Sequence, residues 1–124
     1  MKEVEVGGRR FQLYPPKGRA AIELDRQACR LYARLDTSLG MGPAYMEAFG
    51  SMPEDEFSRL VSLSLPGAVM LGEDRDSRLS DGNVWDLFLG RVDELYGLML
   101  AAWEAYDLTP FAKLRSGSST APTP

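Results

Sequence analysis

The segment Leu95-Tyr-Gly-Leu-Met-Leu-Ala-Ala-Trp103 constrains the fold of this chain more than any other. Apart from one glycine, every residue in it is apolar or aromatic. A helix packed on one side needs a single apolar stripe. The helix expected over residues 91–107 carries two. Val92, Leu95, Tyr96, Met99, Ala102, Trp103 and Tyr106 fall on the first stripe at helical spacing. Leu98, Ala101 and Ala105 form the second. Either this is a central helix packed on several sides by its own chain, or one stripe faces another polypeptide. The self-packed reading comes first in a chain with several other helices. The interface reading draws on the Trp, Tyr and Met content, which suits adaptable binding surfaces.

The rest of the chain is consistent with one domain built around that helix. Its 124 residues fit a single unit able to bury a core without disulfides or metal. The domain is expected over residues 1–115. The small, polar and proline-containing stretch 116–124, SGSSTAPTP, is expected to be disordered. Cys29 has no possible disulfide partner within the chain, and there is no histidine. That removes histidine acid–base catalysis, Ser–His and Cys–His dyads and most zinc sites. The N-terminus MKEVEVGG does not read as a signal peptide. No apolar run approaches the roughly 18 residues of a membrane span, so a soluble cytoplasmic protein is expected, with no membrane partner. Net charge is −4, with arginines scattered among carboxylates, which argues against a nucleic-acid partner.

The expected fold class is α+β, mainly α: an N-terminal β-hairpin packed on a bundle of about four to five helices. Alternation of apolar residues around Gly7-Gly8, with Val4 and Val6 before and Phe11 and Leu13 after, predicts a hairpin over residues 3–14. Ala21, Leu24, Ala28, Leu31 and Leu35 predict a helix over 17–36, its stripe widened by Ile22, Cys29 and Tyr32. Further helices are predicted over 43–49, 53–64 and 81–89. Pro53 and the following carboxylates suit a helix start. Val61-Ser-Leu-Ser-Leu65 also alternates like a strand, but helix is favoured as far as Ser64. Ala68 to Leu79 reads as a connection, Ser80 as the N-cap of the fourth helix, and Thr109-Pro110 as the stop of the last.

No set of residues assembles a catalytic or cofactor site. Glu54, Asp55 and Glu56 are consecutive on a helix and point in different directions, so they read as a solvated N-terminus. Glu73-Asp-Arg-Asp-Ser77 lacks the ligand series of a calcium loop. Cys29 reads as a buried, inert core thiol. The expectation is a non-enzymatic chain with no catalytic residue, no metal and no cofactor.

The order of features resembles the small tail assembly chaperones of tailed bacteriophages. The resemblance runs through Phe11-Gln-Leu-Tyr-Pro-Pro16 and Met52-Pro-Glu-Asp-Glu-Phe-Ser-Arg-Leu-Val61. It is strongest over Leu79-Ser-Asp-Gly-Asn-Val-Trp-Asp-Leu-Phe-Leu-Gly-Arg91, followed by Glu94-Leu-Tyr96 and the long apolar helix. It covers roughly residues 11–114. The relatives tend to finish with Asn-Phe and further phenylalanines, whereas this chain has Ala105-Tyr-Asp-Leu-Thr-Pro-Phe111. The resemblance implies a non-enzymatic assembly factor in the host bacterial cytoplasm. It would bind the tape measure protein, keep its apolar helical segments soluble and be absent from the mature virion. A client helix would then cover the second stripe, and Leu98, Ala101, Trp103, Ala105, Tyr106 and Phe111 are the expected partner-binding residues. A small inhibitor docking on a host protein, a structural virion component and an enzyme are the alternatives, and self-association is a further contact to test.

Overall fold

The computed structural model describes residues 1–113; the expected disordered tail, 116–124, lies outside the described residues. Two strands open the chain, β1 (Lys2–Val6) and β2 (Arg9–Leu13), paired antiparallel with Val6 opposite Arg9. That register leaves a two-residue loop, Gly7-Gly8, with φ of 60° and 80°. Both residues are in the left-handed region that a tight hairpin turn of this kind requires.

The sheet does not stop at the hairpin. Where the sequence reads as a connection, β3 (Val69–Leu71) pairs with β2, placing Met70 opposite Phe11, and β4 (Ser77–Arg78) pairs with β3. The result is a four-stranded antiparallel sheet in the order β1-β2-β3-β4. Three residues are too few to display a period-two pattern. Val69, Met70 and Leu71 are all half-buried, so no polar position alternates with them.

Five helices follow the hairpin: α1 (Arg19–Tyr32), α2 (Met41–Ser51), α3 (Glu54–Ser64), α4 (Val84–Leu87) and α5 (Val92–Ala105). A further helical turn occupies 109–113. The class is therefore α+β, mainly α. In α3, Phe57, Leu60, Val61 and Ser64 are buried at three- and four-residue spacing, which is why helix prevails over the local strand-like alternation. The helix before α5 is shorter than expected. Ser80 does not cap it through its side chain; instead the Ser80 N–H donates to Asn83 Oδ1 at 2.8 Å, and Asn83 Nδ2 donates to the Arg78 carbonyl.

The end of α5 also differs from expectation. Asp107, not Thr109-Pro110, ends it. Asp107 has φ 63°, the Leu108 N–H donates to the Trp103 carbonyl and the Asp107 N–H to the Glu104 carbonyl. This is the bond pair of a Schellman C-cap with an aspartate in the usual glycine place. Thr109 instead opens the next helical turn. Its N–H and hydroxyl donate to the Asp25 carboxylate of α1 at 2.8 and 2.7 Å. The orphan donor at that helix start is thus satisfied from across the fold.

Candidate functional site

α5 lies at the centre. It packs against β1 on one side and against α2 and α3 on others. Gly97 faces Val6 of β1. Trp103, fully buried, meets Tyr45 and Phe49 of α2 edge-on, with ring centroids 5.3 and 5.2 Å apart. Tyr96 meets Phe57 of α3 in the same manner at 5.5 Å. Such edge-to-face pairs add roughly 0.5–1.5 kcal/mol each beyond the area they bury.

The polar tips of Trp103 and Tyr106 converge on one residue. Ser64 is the buried polar residue among those described. Its hydroxyl accepts from Trp103 Nε1 at 2.8 Å and donates to the Leu60 carbonyl at 2.7 Å. Its own carbonyl accepts from the Tyr106 hydroxyl at 2.8 Å. The Tyr45 hydroxyl donates to the Ala28 carbonyl at 2.9 Å. Burial pushes the ionisation of both tyrosines to a pH well above the ordinary phenolic range, so they stay neutral donors.

The expected partner-binding residues therefore part company. Leu98 and Trp103 are fully buried, and Phe111 is buried and stacked on Tyr45 at 5.7 Å. These three are not at the surface; of the second stripe of α5, Leu98 is covered by the chain itself. Ala101, Ala105 and Tyr106 are half-buried. Trp103 and Phe111 both meet Tyr45 within the core, and Tyr106 reaches the Ser64 carbonyl from a half-buried position at its edge.

The other end of α5 is clamped to the hairpin by charge. Arg9, on the inward face of β2, donates to the Leu87 carbonyl at 3.0 Å, reaches Glu94 at 3.4 Å and lies 4.8 Å from the Phe88 ring centroid. Arg91 contacts the same carboxylate at 3.1 Å and donates to the Gly7 carbonyl. A Cβ on Gly7 would collide with the Glu94 carboxylate, so that turn needs glycine for space as well as for its backbone angles. Arg9 and Glu94 carry no sequence signal that would mark this clamp, because the residues meet only in the fold.

Exposed apolar surface lies elsewhere. At the α4–α5 corner Trp85, Leu89 and Val92 are 41%, 81% and 50% exposed. Trp85 leans on Phe57, with centroids 6.1 Å apart. On α1, Ile22 and Tyr32, expected to widen the buried stripe, are exposed instead. Only Leu24 and Ala28 of that helix are buried. Cys29 is half-exposed rather than a core thiol. Burial, and then the Asp25 carboxylate, push its ionisation to higher pH, so the thiol is held protonated near neutral pH.

The small cleft between the end of α3 and the segment leading to α4 is lined by Val61, Leu65, Leu79 and Val84, with Ser62 donating to Asp81 at its mouth. It presents one hydroxyl–carboxylate pair, not a converging set of reactive groups. Among the described residues no helix is long and apolar enough to cross a membrane. No protein-family model, curated protein or solved structure matches this chain.

Proposed function

We propose that the protein is a non-enzymatic tail assembly chaperone of a tailed bacteriophage. It acts in the host bacterial cytoplasm, binds the tape measure protein and leaves before the virion is complete. One observation carries the reading. The stretch in which the sequence most resembles such chaperones, Leu79 to Arg91 and on into α5, is also where Trp85, Leu89 and Val92 expose apolar surface. Exposed apolar side chains concentrated within one short stretch favour an apolar partner. A client helix laying its apolar face on this corner matches the helix-in-groove mode. This reading puts the client at the α4–α5 corner rather than on the second stripe of α5, where Leu98 is fully buried and Ala101 and Ala105 are half-buried.

Co-expression with the tape measure protein of the same genome tests this. Wild type is expected to hold the client in the soluble fraction. The double variant Leu89→Asp, Val92→Asp should fold normally, since both side chains are exposed, yet lose the client. A client that stays soluble without the protein would sink the chaperone reading. Finding the chain in purified virions would replace it with a structural role.

A further inference from the structure

Beyond the apolar corner, a second surface has its own chemistry. Ile22, Arg26 and Arg30 stand at i, i+4 and i+8 on α1, all exposed. Such a row is one of the ridges by which helices interdigitate. A groove flanks it on each side. One, of about 500 Å³, is bounded by Arg19, Glu23 and Gln27 and by Arg59 of α3; the other, of about 380 Å³, by Asp25, Cys29 and Thr109. Ile22, Arg26 and Arg30 line both. A ridge between two grooves is what one helix offers to another before they pack.

The charge on this face opposes that of the molecule. Residues 17–34 hold five basic and two acidic side chains, a net +3 in a chain whose total is −4, leaving −7 elsewhere. Glu23 is paired with Arg59, and Asp25 is held by Thr109. Arg19, Arg26 and Arg30 have no hydrogen-bond or ion-pair partner among the described residues.

We propose that the Ile22–Arg26–Arg30 ridge of α1 docks an α-helix of another protein whose carboxylates recur four residues apart beside a small apolar stripe. The carboxylates would meet Arg26 and Arg30, and the apolar stripe would cover Ile22. A second copy of this chain is a poor fit, because no two of its carboxylates are four residues apart anywhere in the sequence. A nucleic acid fits less well than a helix. Ile22, 63% exposed, sits in line with the arginines, and Glu23 and Asp25 in the flanking grooves repel phosphates. The inference does not depend on the tail-assembly reading.

The test is fluorescence anisotropy on the intact protein with a synthetic helical peptide bearing glutamates at i and i+4 beside an alanine stripe. A lysine counterpart and a single-stranded oligonucleotide serve as competing probes. Wild type should bind the glutamate peptide alone. Arg26→Glu with Arg30→Glu should weaken it by about tenfold or more, the loss of two charge pairs plus repulsion. Ile22→Ser should weaken it severalfold, with melting temperature unchanged in both variants. No binding of the glutamate peptide overturns the proposal. So does tighter binding of the oligonucleotide that Ile22→Ser leaves intact, which would mark a polyanion site. Concentration-dependent dimerisation lost on charge reversal would assign the face to self-association and equally overturn it.

Discussion

α1 and α5 are the same length, 14 residues, and the chain treats them oppositely. α5 buries Leu95, Leu98, Met99, Ala102 and Trp103 and is covered by the sheet, α2 and α3. α1 buries Leu24 and Ala28 and leaves a ridge of isoleucine and arginines to solvent. Judged by apolar content, α5 is the helix in want of a partner and α1 the one adequately covered. The fold reverses that ranking. An all-round apolar helix is satisfied when enough elements surround it, whereas a single apolar stripe can be wider than the surface available to cover it. Unmet apolar surface therefore depends on the neighbours a helix has as well as on its own residues.

The contrast can be broken most sharply at Trp103. Trp103→Ala should cost about 3–5 kcal/mol by cavity formation in the core, measured by urea denaturation. Ile22→Ser on α1 should stay within about 0.5 kcal/mol, as for an exposed site. Equal losses at the two positions would mean that the two helices are not differently covered.

A smaller effect isolates the polar centre of the core. Ser64→Ala leaves the buried Trp103 indole N–H without an acceptor, which should cost about 1–3 kcal/mol. The tryptophan emission should change while secondary structure by circular dichroism does not. A variant as stable as wild type would show that Ser64 does not organise the α3–α5 contact.

The smallest effect reads the environment of α1. Because burial and the Asp25 carboxylate both push the Cys29 ionisation to higher pH, its alkylation should be slower in the folded protein than in the urea-unfolded chain at pH 8. Asp25→Asn should speed the reaction. It also replaces the carboxylate that accepts from Thr109, so a modest stability loss, of about 1 kcal/mol as for a lost cap, should accompany it. A rate equal to that of the unfolded chain would place the thiol in open solvent and away from Asp25.

The tests on exposed and buried positions also separate two uses of the same substitution. Leu98→Asp would be a surface probe if the second stripe of α5 faced a client. With Leu98 fully buried it is a folding mutation instead, placing a carboxylate in the apolar core. Loss of client binding by that variant would say nothing about where the client sits, so the binding test belongs to Leu89 and Val92.

Local sequence determined a good deal. The Gly7-Gly8 hairpin, the helices α1, α2, α3 and α5 and the turn-rich breaks between them follow from short-range patterns, because dihedral preference and three-to-four spacing act within a few residues. The class, α+β and mainly α, follows from their sum. Tertiary structure alone decided the rest. It recruited Val69–Leu71 as a strand by offering β2 as a partner. It set Thr109, in the turn after α5, against Asp25 of α1. It gathered Arg9, Glu94 and Arg91 into one clamp, and closed α5 while leaving α1 open. Each of these depends on contacts between residues far apart in the chain, and a local pattern cannot encode which surfaces the distant elements will reach.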